Sequence, residues 1–294
     1  MNDVADSRFP EMSRGVLYVV GTPIGNLEDI TLRALKTLED VDLIAAEDTR
    51  KTRRLLARHG INRPLISLHE HNEDRRAGEL ISKLDKGAVI ALVSDAGTPT
   101  LSDPGYRLVK DATAAGIKVV PIPGPSAAVA ALSVSGLPTD AFLFLGFPPR
   151  KRAKRLKFLQ QVAKENQTLI FYESPKRVAD LLADLQETMG ERQAALCREM
   201  TKTYEEFIRG TLNDIAGEVQ NRRELKGECT LLVEGLQQRE EISPEELRGI
   251  VAQELALEDM GVSELSRQLA EQYNIPKKRV YAEILRVKNA ESEE

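Results

Sequence analysis

The 294 residues include only two cysteines. Cys197 and Cys229 each stand alone inside an apolar, strand-like segment, with no Cys-x-x-Cys spacing. That excludes a zinc site or a disulfide framework and reads both as small buried hydrophobes in a reducing compartment. No apolar run approaches the roughly 20 residues that span a bilayer, and residues 1–8 lack the apolar core of a signal peptide. A cytoplasmic protein with no membrane partner is expected. An excess of one charge is also missing: 41 Lys and Arg against 46 Asp and Glu leave −5. Such a balance excludes a protein that coats nucleic acid over its whole surface, although local basic patches remain open to it. The Walker lysine pattern is absent and the glycine spacing fails the dinucleotide fingerprint, so nucleoside triphosphates and NAD are poor ligands. His69 and His71 lie two apart and would face one side of a strand, but no third ligand is near and no metal is assigned.

With 41% hydrophobic and 30% charged residues, the chain is long enough for two compact α/β domains and a small appendage. Strands are predicted over 16–20, 42–46, 65–68, 89–93 and 118–121, and helices over 31–38, 49–59, 75–84 and 107–115. This alternation implies a mostly parallel sheet. Ile122-Pro-Gly-Pro-Ser126 then breaks the run, and Ser126 is expected to cap a helix over 127–132. A second set follows, with strands over 142–145, 168–171, 194–197, 206–209 and 230–233 and helices over 154–164 and 178–188. Several of these strands are adjacent without an intervening helix, so the second sheet should be mixed. After Gly235 the sequence turns polar and helix-forming: Ser243-Pro-Glu-Glu246 is a helix start, and 262–285 reads as helix, turn, helix. The expected domains are 14–124, 125–237 and 238–294.

The richest stretch is 88–105, a buried strand feeding a loop that presents Ser94, Asp95, Thr98, Ser102 and Asp103, with Gly97 and Gly105 permitting close backbone approach. Three more loops are shaped alike: 20–34, 123–127 and 226–234. At these residues the chain resembles the tetrapyrrole methylase family of S-adenosylmethionine-dependent methyltransferases. Ala46-Glu-Asp-Thr-Arg-Lys51, His69-Glu-His-Asn-Glu73, Ser94-Asp-Ala-Gly-Thr-Pro99 and Phe171-Tyr-Glu-Ser-Pro175 are similar to its branch acting on small-subunit ribosomal RNA. The resemblance implies two α/β domains with S-adenosyl-L-methionine in the cleft between them, a helix-turn-helix-like module at the C-terminal end, a homodimer, and 2′-O-methylation of a cytidine ribose. It also leaves open whether the RNA partner is free or in an assembled or partly assembled subunit.

Carried over by position, the donor site involves Pro23, Ala96, Gly97, Thr98, Leu101, Ser126 and Ala127, joined by Glu173, Met200 and the Glu228 region. Tetrapyrrole-modifying relatives carry Gly-Asp-Pro in the second loop where this chain has Gly97-Thr98-Pro99, so contacts made by that aspartate would pass to Asp95. A ribose hydroxyl is a weak nucleophile at neutral pH and needs alignment and a proton acceptor. Asp48, Asp95, Glu173 and Lys202 are the candidates, and spacing does not choose among them. Three basic runs favour phosphate contact: Arg50, Lys51, Arg53 and Arg54; Arg150, Lys151 and Arg152; and Lys277, Lys278 and Arg279. Two rival readings remain, a tetrapyrrole-precursor C-methyltransferase and a nucleic-acid-binding regulator dominated by the terminal helices.

Overall fold

A computed structural model describes residues 15–222, 224–237, 243–257, 260–273 and 275–291. The expected domain limits at 14, 238 and 294 lie outside them. By contacts the chain divides after Leu236.

In the first sheet, β1 (Val16–Val20), β2 (Leu43–Ala46), β3 (Leu65–Ser67), β4 (Val89–Val93) and β5 (Lys118–Ile122) lie in the order β3-β2-β4-β1-β5. Each pairing is parallel. The crossovers are α1 (Leu32–Asp40), α2 (Thr49–Arg58), α3 (Glu73–Asp85) and α4 (Tyr106–Ala114). Apolar strands buried on both faces are what such a sheet demands. Val20, Ile44, Ala46, Ala91 and Val93 pack under α1 and α2, while Leu17, Ala45, Ile90 and Leu92 pack under α3 and α4. Thr31 and Asp48 start α1 and α2, their side chains accepting from the amides of Ala34 and Arg50.

The second sheet runs β6-β7-β10-β8-β9, from β6 (Phe142–Gly146), β7 (Thr168–Glu173), β8 (Gln193–Arg198), β9 (Glu206–Thr211) and β10 (Cys229–Val233). It is mixed: β6 and β7 are parallel and the remaining pairs antiparallel. Alternation sends Leu169, Phe171, Leu196, Leu231 and Val233 toward α6 (Arg152–Val162), α7 (Val178–Met189) and α8 (Leu212–Gln220). The opposite face, with Ile170, Ala195, Cys197 and Leu232, receives α5 (Ala127–Ser135). Both cysteine thiols are pushed up to about 12 by burial, as suits core residues.

Three details depart from expectation. Helix α8 was not anticipated, although Leu212, Ile215, Ala216 and Val219 keep a helical period and Thr211 with Asp214 forms a capping box. Ser126 occupies the N-cap of α5 without a side-chain capping bond. His69 and His71 follow β3 in a turn rather than on a strand, with rings 6.0 Å apart at 70°. Asn72, whose Oδ1 accepts from the His69 amide, shapes that turn.

The C-terminal unit contains α9 (Pro244–Leu257), α10 (Val262–Gln272) and α11 (Lys277–Glu291). Leu247, Val251, Leu265, Leu269, Val280 and Ile284 give it a core of its own. Ser243 and Glu246 exchange capping bonds at the start of α9. Buried Glu283 is paired with Arg248 and Arg286.

Candidate functional site

Strand β4 lies between β1 and β2, so the crossovers from β1 and from β4 leave in opposite directions. Their carboxyl ends open a crevice, the place where open α/β sheets bind ligands. The loops that leave these ends are tied together: Thr22 and Gly97 exchange backbone hydrogen bonds of 2.9 and 3.0 Å. The Thr22 hydroxyl, 3% exposed, donates to the Ser94 carbonyl at 3.2 Å. Gly97 has φ +79°, a backbone that side chains resist. Thr100 and Ser102 adopt left-handed φ of 75° and 64° despite their side chains, a strain typical of ligand loops. The far end of the loop is held by Glu73, whose Oε1 accepts from the amides of Gly105 and Arg107 at 3.0 and 2.9 Å.

The second sheet closes the crevice. Ile24 packs among Ala128, Ala131 and Met200, and the Asn26 amide donates to Thr201 Oγ1 at 3.0 Å. Tyr172 accepts from the Ala128 amide at 3.1 Å. A Cβ on Gly25 would stand 2.8 Å from the Met200 carbonyl oxygen, so the backbones meet here only because residue 25 has no side chain.

A cavity of about 340 Å³ results. Of the residues expected at the donor site, Asp95, Ala96, Gly97, Thr98 and Leu101 line it from the β4 loop, and Ser126 and Ala127 from the start of α5. Glu173, Met200 and Glu228 line it from the second sheet. Pro23 is buried and does not line it, and Asp48 and Lys202 lie outside the lining as well. Reading the sequence missed Glu47, Phe147 and Tyr172, and left Asp103 without a role, although all four line the cavity. Glu47 stands one residue beyond an apolar strand, a position that could have marked it.

The lining holds five carboxylates, Glu47, Asp95, Asp103, Glu173 and Glu228, and neither lysine nor arginine. Asp95 Oδ2 takes Lys51 Nζ at 2.8 Å, and its Oδ1 accepts from the Asp48 amide at 2.9 Å. Its own amide donates to Glu47 Oε2 at 3.1 Å. Glu173, 2% exposed, is ion-paired with Arg177 at 2.8 Å. Burial, reinforced by the neighbouring Glu47 charge, pushes the Asp103 carboxyl up to about 6. Glu47 is raised too, chiefly by burial. The Arg50 guanidinium holds Asp48 well below the usual carboxylate range. Burial opposes the charge of Lys202, but hydrogen bonds to Glu199 and Glu228 at 2.7 and 3.1 Å outweigh it and raise its pKa.

Thus each of the four candidate proton acceptors is held by another group: Asp48 by Arg50, Asp95 by Lys51, Glu173 by Arg177 and Lys202 by its two glutamates. Asp103 carries the raised pKa that a base working near neutrality needs.

The basic runs divide. On α2, Arg50 and Lys51 are paired, whereas Arg53 and Arg54 are exposed with no ion pair among the described residues. Arg150 and Lys151, expected on a helix, precede α6 and are exposed. Arg152 begins α6 but is drawn to Asp184 and Glu187 at 2.9 and 2.5 Å. Buried Arg155 shares Asp184 at 2.7 Å, so this part of the run is structural rather than free for phosphate. Lys277, Lys278 and Arg279 lie in the first turn of α11, where Lys277 Nζ reaches Ser263 Oγ at 3.4 Å.

Comparison with known proteins fits this geometry. Residues 16–216 match the model of the Tetrapyrrole (Corrin/Porphyrin) Methylases. Ribosomal RNA small subunit methyltransferase I of Halalkalibacterium halodurans is 52% identical over 234 residues, 80% of either chain. The protein so named from Pasteurella multocida is 48% identical over 273 residues, 91% of this chain and 95% of its own. Among solved structures, a diphthine synthase superposes with TM-score 0.59 at 15% identity, covering 75% of this chain and 90% of its own. A uroporphyrin-III-C-methyltransferase from Thermus thermophilus gives 0.52 at 23%, covering 75% and 94%. These two speak for the fold.

Proposed function

The chain belongs to the tetrapyrrole methylase family, and we propose that it methylates the 2′-hydroxyl of a cytidine in small-subunit ribosomal RNA. It is an S-adenosylmethionine-dependent methyltransferase, and its curated relatives are named for ribosomal RNA. The observation that carries the reading is the charge of the cavity. Five carboxylates set among Ile24, Leu101, Met200 and Tyr172, with no cation in the lining, suit a donor that carries positive charge beside an apolar purine. They do not suit a phosphate. The exposed cations Arg53, Arg54, Arg150 and Lys151 lie outside the lining, where they are free to hold a phosphodiester backbone.

When bound, the donor supplies a methyl group activated by a positively charged sulfur. The chain's own residues orient and deprotonate the acceptor. Gly97 brings bare backbone to the cavity wall beside Thr98, Asp95 is fixed by Lys51 and the Asp48 amide, and Asp103 takes the proton leaving the attacking hydroxyl. The roles of Asp95, Glu173 and Glu228 as charge partners of the donor, and of Pro23 as a buried residue that stiffens the loop after Thr22, belong to this proposal.

We also place the enzyme in the cytoplasm as a homodimer. In support, among the described residues no helix is long and apolar enough to cross a membrane. Leu32 on α1 and Val129 and Val134 on α5 are 86%, 55% and 41% exposed, apolar side chains that a second copy would cover. The substrate form, naked RNA or a subunit at some stage of assembly, is identified by incubating each with labelled donor and digesting to nucleosides for mass spectrometry. Label on a cytidine ribose is expected. Label on a base, or on a tetrapyrrole precursor and not on RNA, would overturn the reading, and failure to bind the donor in calorimetry would favour a regulator.

A further inference from the structure

Phe147 puts an aromatic ring at the cavity mouth that the core does not use. It follows directly on β6, lines the cavity and is 57% exposed in a chain with only 4% aromatic residues. Its ring meets Tyr172 at 5.7 Å and 62°, and Tyr172 meets Phe144 at 4.9 Å. The exposed ring is therefore braced from inside by an edge contact, with no parallel ring stacked on it among the described residues.

The loop beneath it is rigid. Gly146 sits at φ +60°, where a Cβ would stand 2.7 Å from Ser102 Oγ. Arg177 Nη2 donates to the Pro148 carbonyl at 2.9 Å, and Arg155 Nη1 to the Arg150 carbonyl at 3.3 Å. Pro149 restricts the chain further. Arg150 and Lys151 come next, both exposed and without an ion pair among the described residues. A fixed apolar ring beside free cations is the pairing with which proteins hold single-stranded nucleic acid, the ring under a base and the cations along the backbone.

We propose that Phe147 is the platform on which the base of the nucleotide being methylated stacks, setting its ribose over the cavity. The proposal rests on the ribosomal RNA reading above and deepens it. Phenylalanine has no hydrogen-bonding group, so the ring positions the nucleotide and leaves base identity to be read elsewhere. Unstacking the nucleotide from its own neighbours costs free energy, and a waiting π face offsets it.

The chain contains no tryptophan, so Phe147→Trp places a single tryptophan at the platform, excited selectively at the red edge where the tyrosines do not absorb. Titration of the full-length variant with small-subunit ribosomal RNA should quench its emission, and the quenching should saturate with RNA in the absence of donor. Phe147→Leu, which keeps apolar cover but loses the π face, should raise the KM for RNA roughly 5- to 150-fold, the range expected when one base loses its stacking partner. Its donor affinity by calorimetry should stay within about twofold, and Phe147→Trp should recover most of the KM loss. With a wild-type enzyme that methylates the RNA, an unchanged KM in Phe147→Leu overturns the proposal. So does weakened donor binding with a normal RNA KM, which would put the ring on the donor. A wild-type enzyme that labels no ribosomal RNA in the same assay overturns the parent reading, a result distinct from either.

Discussion

Asp103 shows how far one residue's chemistry depends on what surrounds it. The sequence places it in the loop after β4 but gives no sign that it is half-buried or that Glu47, 56 positions earlier by sequence number, faces it. With its folded pKa at about 6 against about 3.9 unfolded, Asp103 binds its proton more tightly in the folded chain. Its contribution favours folding fully below about pH 4 and is lost as pH rises through about 6. Asp103→Asn should therefore be more stable than wild type above pH 6, by about 1–2 kcal/mol once solvent screening of a half-buried group is allowed for, measured by urea melts from pH 4 to 8. The same change should lower kcat by about 10²- to 10⁴-fold, the usual worth of a proton acceptor. It should also abolish an acidic limb near pH 6 in the wild-type rate profile; persistence of that limb would assign it to another group. Gly97 makes the complementary case. Its role is legible from sequence, since a glycine after a buried strand signals close approach, and the left-handed φ agrees. Gly97→Val should fold with reduced stability and lose most donor affinity by calorimetry. Normal affinity in the folded variant would remove this loop from the donor site.

At the scale of elements, basic runs are where the sequence is least informative, because composition does not say which cations are already engaged. Helix α2 separates into Arg50 and Lys51, turned to carboxylates, and Arg53 and Arg54, turned to solvent. Replacing Arg53 and Arg54 with Gln should flatten the log–log salt dependence of RNA binding by roughly 0.7 to 0.9 for each phosphate no longer neutralised, with donor affinity unchanged. Lys51→Gln should instead weaken donor binding if orientation of Asp95 outweighs its added negative charge, since Asp95 loses the contact that fixes it at the cavity wall; tighter binding would show that charge dominates. The result that would count against this division is a donor effect from the arginines. In α6 the run that looks like a phosphate patch holds a buried ion pair. Asp184→Ala would leave Arg155, 4% exposed, without its partner, and should cost about 3–5 kcal/mol in chemical denaturation. Helix α8 was missed for a different reason: its nine residues sit between two strands of a mixed sheet, and the helical period is easily lost between them.

For the whole molecule, the order of strands and helices was largely legible, because buried parallel strands and their crossover helices carry distinct periods. The joint between the two sheets was not. Ile24 leaves the first sheet and is buried in a cluster supplied by α5 and by strands of the second, and no local pattern encodes that meeting. A fragment of residues 15–124 should therefore bind S-adenosylmethionine far more weakly than the full chain, at least about 100-fold by calorimetry, since it lacks Glu173, Met200 and Glu228. Equal affinity would mean that the first sheet binds the donor alone. The helices after Gln237 have a core of their own. Their removal should leave donor affinity near wild type and raise the RNA concentration needed for half-maximal turnover if Lys277, Lys278 and Arg279 grip the substrate. An unchanged value would assign them a purely structural role.

The loop from β4 to α4 is tied at Thr22 and again at Glu73. A segment anchored at both ends gives up its conformational entropy when the chain folds, not when the ligand arrives. The heat-capacity change of donor binding should then follow from buried apolar area alone, without the larger negative value that accompanies a segment folding onto its ligand.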